Sequence, residues 1–185
     1  LVLTLCEGEI DAIESIYIND ILSTDAQFAS LVTIETVMGT SGQAAFAGLI
    51  SAAPTLWTSD HKLSGLAAVH IKIKRDKEIF KSYPRLKFIV RGKKCFDPRT
   101  STTIYTTNPI IHALDYLTNT TYGKGEPVSD YTTWIAAANA CDVTMQESSN
   151  AVFIKRFENN SVVDTSRSVK ENLEDRKSTR LNSSH

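Results

Sequence analysis

The feature that most limits the fold of this chain is an alternation of apolar and polar side chains over residues 66–74, LAAVHIKIK. Apolar residues recur at every second position from Ala67 to Ile73, and His70, Lys72 and Lys74 fall between them. Because successive side chains of a β-strand point to opposite faces, this period of two predicts a strand. We expect its apolar face to lie on a core and its basic face to lie in solvent.

Other segments also favour strands, because they are rich in β-branched or alternating apolar residues and end at turn-forming residues. We predict strands at 12–20 (closed by an Asn-Asp turn), 31–37, 86–91, 94–96, 151–157 and 161–164. The last two would form a C-terminal hairpin with Asn159-Asn160 as its tight turn, because asparagine tolerates positive φ.

Two helices follow the main strands. Asn108 and Pro109 have the pattern of an N-cap and a proline at the first helical position, and the YGKG turn at 122–125 ends that helix. A second helix begins near Ser129, and its apolar stripe comprises Tyr131, Trp134, Ile135, Ala138 and Cys141. We also predict a short helix at 44–50 and a further helix start at 168–171, SVKE, which has the form of a capping box.

This order of elements predicts an α+β fold of mostly antiparallel sheet with two short helices and a C-terminal hairpin. We expect a strand-rich segment at 1–106, with a loop and short helix inserted at about 38–64. The segment 107–174 would hold the helical pair, the hairpin and the start of the next helix.

The two ends of the chain look unnatural. The chain begins at Leu1 without an initiator Met, and residues 175–185 back-translate in frame to a sequence that resembles a common short-read sequencing adapter. We therefore expect 175–185 to be non-native and the chain to be a fragment of a protein that continues past Glu174.

Charge and cysteine content exclude several classes. The 20 Lys and Arg residues against 21 Asp and Glu give a formal net charge of −1, which provides no general electrostatic attraction to nucleic acid or anionic membrane. No run of apolar residues is long enough to predict a membrane-spanning helix. The three cysteines are too scattered for a disulfide framework or a zinc site, and they suit a reducing cytosol.

Motifs for catalysis, cofactors and metals are absent from the sequence. The glycines at 39–42 and 122–125 lack the context of a phosphate-binding loop and are interpreted as turns. None of the histidines (His61, His70, His112 and His185) has a second His or Cys ligand at metal-site spacing. His112 and Asp115 share a helix face, and we interpret them as a solvated pair. We predict no catalytic, cofactor-binding or metal-binding residue.

Cys95 and Cys141 are both interpreted as packing residues. Lys93 and Lys94 precede Cys95 and could lower its thiol pKa. A small packed strand residue is the preferred interpretation, because no partner His or second Cys stands near it in the sequence. Cys141 ends the apolar stripe of its helix and is assigned to the core.

A basic patch is the strongest candidate surface. It comprises Lys72, Lys74, Arg75, Lys77, Lys87, Arg91, Lys93, Lys94 and Arg99. Several of these would share one face if the strands at 66–74 and 86–91 pair with each other. Nucleic-acid binding would also need stacking aromatics, whereas Phe80, Tyr83, Phe88 and Phe96 look committed to packing or turns. We favour a solvated sheet face; a lumen or subunit interface that meets DNA in passing is a third possibility.

Six segments in register resemble a known family. They are 5–10 (LCEGEI), 16–20 (IYIND), 90–100 (VRGKKCFDPRT), 105–119 (YTTNPIIHALDYLTN), 122–125 (YGKG) and 134–142 (WIAAANACD). In this order and spacing they resemble the tail-tip attachment proteins of long-tailed bacteriophages and prophages, the family of host specificity protein J in lambda-like phages. The resemblance covers about residues 3–174.

Three positions depart from the family pattern. Ile110 stands where alanine is usual, and Cys95 stands where valine or isoleucine is usual. His70 replaces an aromatic or aliphatic residue, so we expect a wetter face there.

The resemblance implies a structural role. Such proteins form a barrel-like, ring-shaped hub, usually a homotrimer, at the end of the tail tube, and the hub opens for DNA passage. Its partners would be copies of itself, other tail-tip and tail-tube proteins and, transiently, phage DNA. The expected location is the virion tail tip, assembled in the host bacterial cytoplasm, with receptor binding left to regions far downstream.

Two other functions were weighed. The first is a nucleic-acid-binding module that uses the basic strand face. The second is a tail-associated hydrolase, for which the sequence lacks a Cys/His or paired-carboxylate constellation.

Overall fold

A computed structural model of the chain describes residues 1–146, 153–164, 166–168 and 170–172. The chain divides into two compact units, Leu1–Lys94 and Cys95–His185. The adapter-like residues 175–185 lie outside the described part.

The first unit contains six strands, a 3-10 turn and a short helix within its described residues. These are β1 (Val2–Glu7), β2 (Ala12–Ile18), β3 (Ile21–Leu22), the 3-10 turn (Ala26–Phe28), β4 (Val32–Met38), α1 (Ala47–Ala52), β5 (Leu66–Ile73) and β6 (Leu86–Arg91). The strands form two three-stranded antiparallel sheets, ordered β1-β5-β4 and β3-β2-β6.

The core of the first unit lies between these two sheets. Val69 and Ile71 of β5 and Ile16 of β2 are buried against one another. Partly buried apolar side chains from both sheets surround them: Leu5, Ile13, Val32, Ile34, Ile73, Leu86 and Phe88. The alternation in 66–74 therefore places its apolar residues as predicted, and β5 lies at the centre of its sheet because both its edges are paired.

The opposite face of β5 differs from the prediction. His70 is only 5% exposed, and its ring lies 5.7 Å from that of Phe46, so this face is covered rather than wet. The expectation of a basic face in solvent is correct only for Lys72 and Lys74. Local sequence patterns do not predict this contact, because Phe46 lies just before α1 and is not a neighbour of β5 in the chain.

A close approach of backbone fixes the end of β4. Gly39 has φ +87°, and a Cβ there would overlap the carbonyl oxygen of Gly8. The Gln43 side chain accepts from the Gly39 N–H at 2.8 Å and donates to the carbonyl of Leu63 at 2.6 Å. The predicted break at 39–42 is thus a turn tied down by a buried glutamine.

The second unit joins two helices to small strand pairs. Its elements are β7 (Cys95–Asp97), β8 (Thr102–Ile104), α2 (Pro109–Thr118), α3 (Thr132–Asp142), β9 (Thr144–Gln146) and β10 (Phe153–Lys155). β7 pairs with β8 and β9 pairs with β10, both antiparallel. Cys95, Ile111 and Ala138 form a buried cluster where α2 meets β7 and α3.

Both predicted helices of this unit are present. The Asn108 side chain accepts from the N–H groups of Ile110 and Ile111, as an N-cap does. After Thr118 the chain wraps back, with Lys124 N–H donating to the Tyr116 carbonyl at 3.1 Å, so the 122–125 turn ends α2 as predicted. α3 begins at Thr132, three residues after the predicted start, where Asp130 accepts from the Thr132 N–H.

The C-terminal hairpin forms from different strands than predicted. β10 pairs with β9 upstream, and residues 161–164 are not a strand. Asn159 is fully buried and its N–H donates to the Thr107 carbonyl at 2.8 Å, so it anchors the chain near the start of α2 rather than forming a turn. Residues 151 and 152 of the predicted strand lie outside the described part.

The capping box is confirmed. Ser168 N–H donates to Glu171 Oε2 at 2.8 Å, the Glu171 N–H donates back to Ser168 Oγ, and residues 170–172 are helical. The α+β class with antiparallel sheets is confirmed. Among the described strands no sheet closes into a barrel.

Candidate functional site

The basic patch is divided by the sheet topology. β5 pairs with β1 and β4, whereas β6 pairs with β2 and lies in the other sheet. The strands at 66–74 and 86–91 therefore do not pair, and their cations do not share one sheet face. Arg99 belongs to the second unit and lies in the turn between β7 and β8.

The cations on and beside β6 are neutralised by acidic residues of the same unit. Arg91 Nη2 lies 2.7 Å from Asp11 Oδ2, and Lys94 Nζ lies 3.3 Å from Glu9 Oε1. Lys87 Nζ lies 3.4 Å from Asp20 Oδ1, and Arg85 also pairs with Asp20. This side of the first unit is a mixed-charge surface.

The segment at 72–81 is different. Lys72, Lys74, Arg75, Lys77 and Lys81 are exposed, and none makes an ion pair within the part of the chain that the structure describes. We call this segment the cationic loop. Its first two residues are the last two of β5, and its only acidic residues are Asp76 and Glu78.

The cationic loop is held in a defined conformation. Asp76 Oδ1 accepts from the N–H groups of Glu78 at 2.9 Å and Ile79 at 3.1 Å. The Phe80 ring stacks on the buried Phe28 ring at 5.9 Å. These contacts fix the backbone while the cations stay in solvent.

A partly buried ionic cluster organises the second unit. Arg99 donates from Nε to Asp97 Oδ1 at 3.0 Å and from Nη2 to Asp97 Oδ2 at 2.7 Å. Its Nη1 donates to Asp142 Oδ2 at 2.6 Å, and Lys155 Nζ lies 3.2 Å from Asp142 Oδ1. We call Asp97, Arg99, Asp142 and Lys155 the Arg99 cluster; it joins the β7–β8 hairpin, the end of α3 and β10.

Electrostatics in the Arg99 cluster favour the charged forms. The side-chain hydrogen bond from Arg99 lowers the pKa of Asp97, against the opposing effect of burial. The same hydrogen bond is the main cause that raises the pKa of Arg99. Burial works to raise the pKa of Asp142, but hydrogen bonds led by that from Arg99 outweigh it and leave the pKa lowered.

Asn108 lies beside this cluster and connects the two helices. It is fully buried, and its Nδ2 donates to the carbonyl of Ala138 in α3 at 2.9 Å while its Oδ1 caps α2. The residues of the DPR, NP and ACD segments therefore meet in three dimensions, although they are far apart in sequence.

The histidine interpretations are revised by their contacts. His112 is partly buried, with Nε2 donating to the Thr106 carbonyl at 2.7 Å and Nδ1 accepting from Asn159 Nδ2 at 3.1 Å. Asp115 accepts a hydrogen bond from the Tyr122 hydroxyl. Each is thus held by the fold, and the expectation of a solvated pair is wrong for His112.

The other two described histidines have local partners. His61 Nδ1 accepts from the Thr58 N–H at 3.0 Å, and its ring lies 5.0 Å from that of Trp57. His70 Nδ1 lies 2.8 Å from Glu35 Oε2. Sequence reasoning missed the His70–Glu35 pair; the only signal was that adjacent strands could bring them together, and the register does pair Glu35 with His70. The hydrogen bond from the Gly48 N–H, then that from His70, lowers the pKa of Glu35.

The cysteines have packing roles. Cys95 and Cys141 are buried, and Cys6 is half-buried. Burial raises the pKa of the Cys6 and Cys141 thiols, which opposes a reactive thiolate. Cys95 packs with Ile111 and Ala138, as its strand position predicted.

The described residues contain neither a metal-binding cluster nor a membrane-spanning helix. No group of three or more His, Cys, Asp or Glu residues there is arranged to hold a metal ion. Within the same residues no helix has the length and hydropathy needed to cross a membrane.

Comparison with known proteins gives no assignment. No family model matches the chain, and no curated protein matches it significantly.

Proposed function

We propose that this chain is a structural component of a bacteriophage or prophage tail tip, corresponding to the tube-proximal part of a host-specificity protein. Its role would be mechanical: to pack rigidly and to assemble with copies of itself and with other tail proteins. It would act in tail assembly, host attachment and DNA passage, at the virion tail tip.

The observation that carries the proposal is the convergence of the resembling segments. Asp97 and Arg99 come from one segment, Asn108 from the next and Asp142 from the last. They meet in and beside the Arg99 cluster, so three of the six segments that resemble the family form one structural feature. This supports the resemblance, because chance matches in sequence have no reason to meet in the fold.

Exposed apolar residues at the strand ends support assembly with neighbours. Phe153 is 66% exposed, and Ile154, Met145 and Val143 are also exposed on and next to the β9–β10 hairpin. A two-stranded hairpin is marginally stable alone and gains stability when further strands or subunits cover it. A homotrimeric hub would provide such neighbours.

The two alternatives are less well supported. A shared basic strand face is lost because β5 and β6 lie in different sheets. A hydrolase would need a nucleophile and a base in reach of each other, and the described cysteines and histidines are engaged in packing or hydrogen bonds with the fold.

Sedimentation of the recombinant chain, followed by negative-stain imaging, tests the proposal. We expect a concentration-dependent closed oligomer, with a trimeric ring as the specific prediction. A strict monomer at every concentration, or turnover of cell-wall material by the purified chain, would contradict it. Tail-assembly genes beside the coding sequence would provide independent support.

A further inference from the structure

Two sets of cations in the first unit differ in their surroundings. Those on and beside β6 face carboxylates at 2.7–3.4 Å, as described for Arg91, Lys94 and Lys87. Those of the cationic loop face none in the described part of the chain. The formal net charge of −1 describes the whole chain and does not account for the difference between the paired and the unpaired cations.

The cationic side chains of the loop lie close together in the sequence and are exposed, so a ligand can contact them. Five cations and two acids lie within ten residues, and the carboxylate of Asp76 is occupied by two backbone N–H groups. The backbone is anchored at the Phe80–Phe28 stack, and at its far end the Arg85 N–H donates to Asn19 Oδ1 at 2.9 Å. An anchored loop loses little entropy on binding, which favours recognition of an extended polyanion.

An exposed aromatic side chain lies in the same connection between β5 and β6. Tyr83 is 76% exposed, and the buried Pro84 follows it directly. The sequence assigned Tyr83 to packing or to a turn, and the structure places it in a bend with its ring exposed. Unpaired cations together with an exposed aromatic ring are the combination that binds single-stranded nucleic acid, through phosphates and base stacking.

We propose that the cationic loop and Tyr83 form a binding surface for single-stranded nucleic acid. The phosphates would contact Lys72, Lys74, Arg75 and Lys77, and an unpaired base would stack on Tyr83. This inference does not depend on the assignment to a tail tip. It also differs from the basic strand face considered from sequence, because β6 contributes nothing to it.

The test is fluorescence anisotropy of the full chain with a labelled single-stranded DNA at several salt concentrations. The loop variant carries Lys72→Gln, Lys74→Gln, Arg75→Gln and Lys77→Gln, all at exposed positions, and leaves Asp76 and Phe80 in place. The matched control removes the same amount of charge elsewhere, through Lys62→Gln, Lys87→Gln, Lys94→Gln and Lys124→Gln. We expect the loop variant to bind at least about tenfold more weakly and the slope of log K against log salt to fall by about 2–3.

The control variant should bind within about twofold of the unaltered chain, because none of its four replaced lysines belongs to the cationic loop. Equal weakening by both variants would show that total charge alone is responsible and would overturn the proposal. So would equal binding of poly-glutamate at the same salt, since that would show that the loop recognises negative charge without preference for nucleic acid. Absence of DNA binding even at low salt would also overturn it.

Tyr83→Ala tests the stacking contact separately. We expect single-strand affinity to fall by about fivefold or more, while duplex affinity stays unchanged, because paired bases offer no free face. Unchanged single-strand affinity would overturn the assignment of Tyr83.

Discussion

Arg99 and Asp142 lie 43 positions apart in the sequence, and their side chains form a hydrogen bond of 2.6 Å between Nη1 and Oδ2. Arg99 also donates hydrogen bonds to both carboxylate oxygens of Asp97, which is 1% exposed. A single guanidinium therefore holds the β7–β8 hairpin against the end of α3.

Replacing Arg99 should destabilise the second unit. Arg99→Met leaves Asp97 buried without its cation, and breaking such a pair costs about 2–4 kcal/mol of unfolding free energy. The measurement is urea denaturation followed by tryptophan fluorescence, since Trp134 lies in α3. Arg167→Met is the matched control, because the Arg167–Asp164 pair is about half exposed and should contribute less than about 1 kcal/mol. Equal losses in the two variants would contradict the structural role of Arg99.

Acid should weaken the same unit. The folded-state pKa values of Asp97 and Asp142 are lowered from the ordinary 3.8, so their stabilisation is complete above about pH 4. It is lost as pH falls through the lowered values, because the unfolded state then binds protons more readily. Denaturation midpoints measured from about pH 6 down to about pH 2.5 should fall steeply at the acid end. Asp97→Asn should flatten this dependence, and an unaltered slope in that variant would count against the assignment.

Asn108 should be sensitive in two separable ways. Asn108→Ala removes the cap of α2 and the side-chain hydrogen bond to the Ala138 carbonyl, for a combined loss of about 2–4 kcal/mol. Asn108→Ser keeps a capping oxygen but cannot reach the carbonyl, so it should lose about 1–3 kcal/mol. The difference between the unfolding free energies of the two variants measures the contribution of the cap to stability. If serine and alanine behave alike, the cap does not contribute.

Gly39 and Gly65 provide a matched pair for the first unit. Both have positive φ, at +87° and +78°, but a Cβ at Gly65 meets nothing within 4 Å whereas one at Gly39 overlaps the Gly8 carbonyl. Gly65→Ala should cost about 1–2 kcal/mol through its backbone conformation alone. Gly39→Ala should cost at least about 2 kcal/mol more, because the strand end must move. Thermal or urea unfolding of both variants checks this, and similar losses would contradict the close approach.

Local sequence signals predicted the elements whose formation depends mainly on residues within the element itself. The alternation at 66–74 gave β5, and Asn108-Pro109 gave the start of α2, because side-chain period and capping act within a few residues. β1, β3, β8 and β9 were missed: β3, β8 and β9 have only two or three residues each, and β1 pairs with β5, which is far away in the sequence. The hairpin turn was misplaced because Asn159 has a tertiary role that a turn propensity does not reveal.

Most of the candidate site could not be predicted for the same reason. The choice of β1 and β4 rather than β6 as partners of β5 depends on long-range pairing, and this choice divides the basic patch. The burial of His70 depends on Phe46, and the charge state of the patch depends on acids at positions 9–20. The net charge of −1 therefore did not reveal that one surface of the first unit is neutralised and that one loop is cationic.

The cationic loop also governs how the molecule should behave during purification. A slightly acidic chain is ordinarily expected in the flow-through of a sulfonate column at neutral pH. The cationic loop produces a local positive potential, because its lysines and Arg75 make no ion pair in the described part of the chain. A sulfonate resin can bind this local surface although the net charge of the chain is slightly negative. The chain should therefore be retained at low ionic strength and eluted by modest salt.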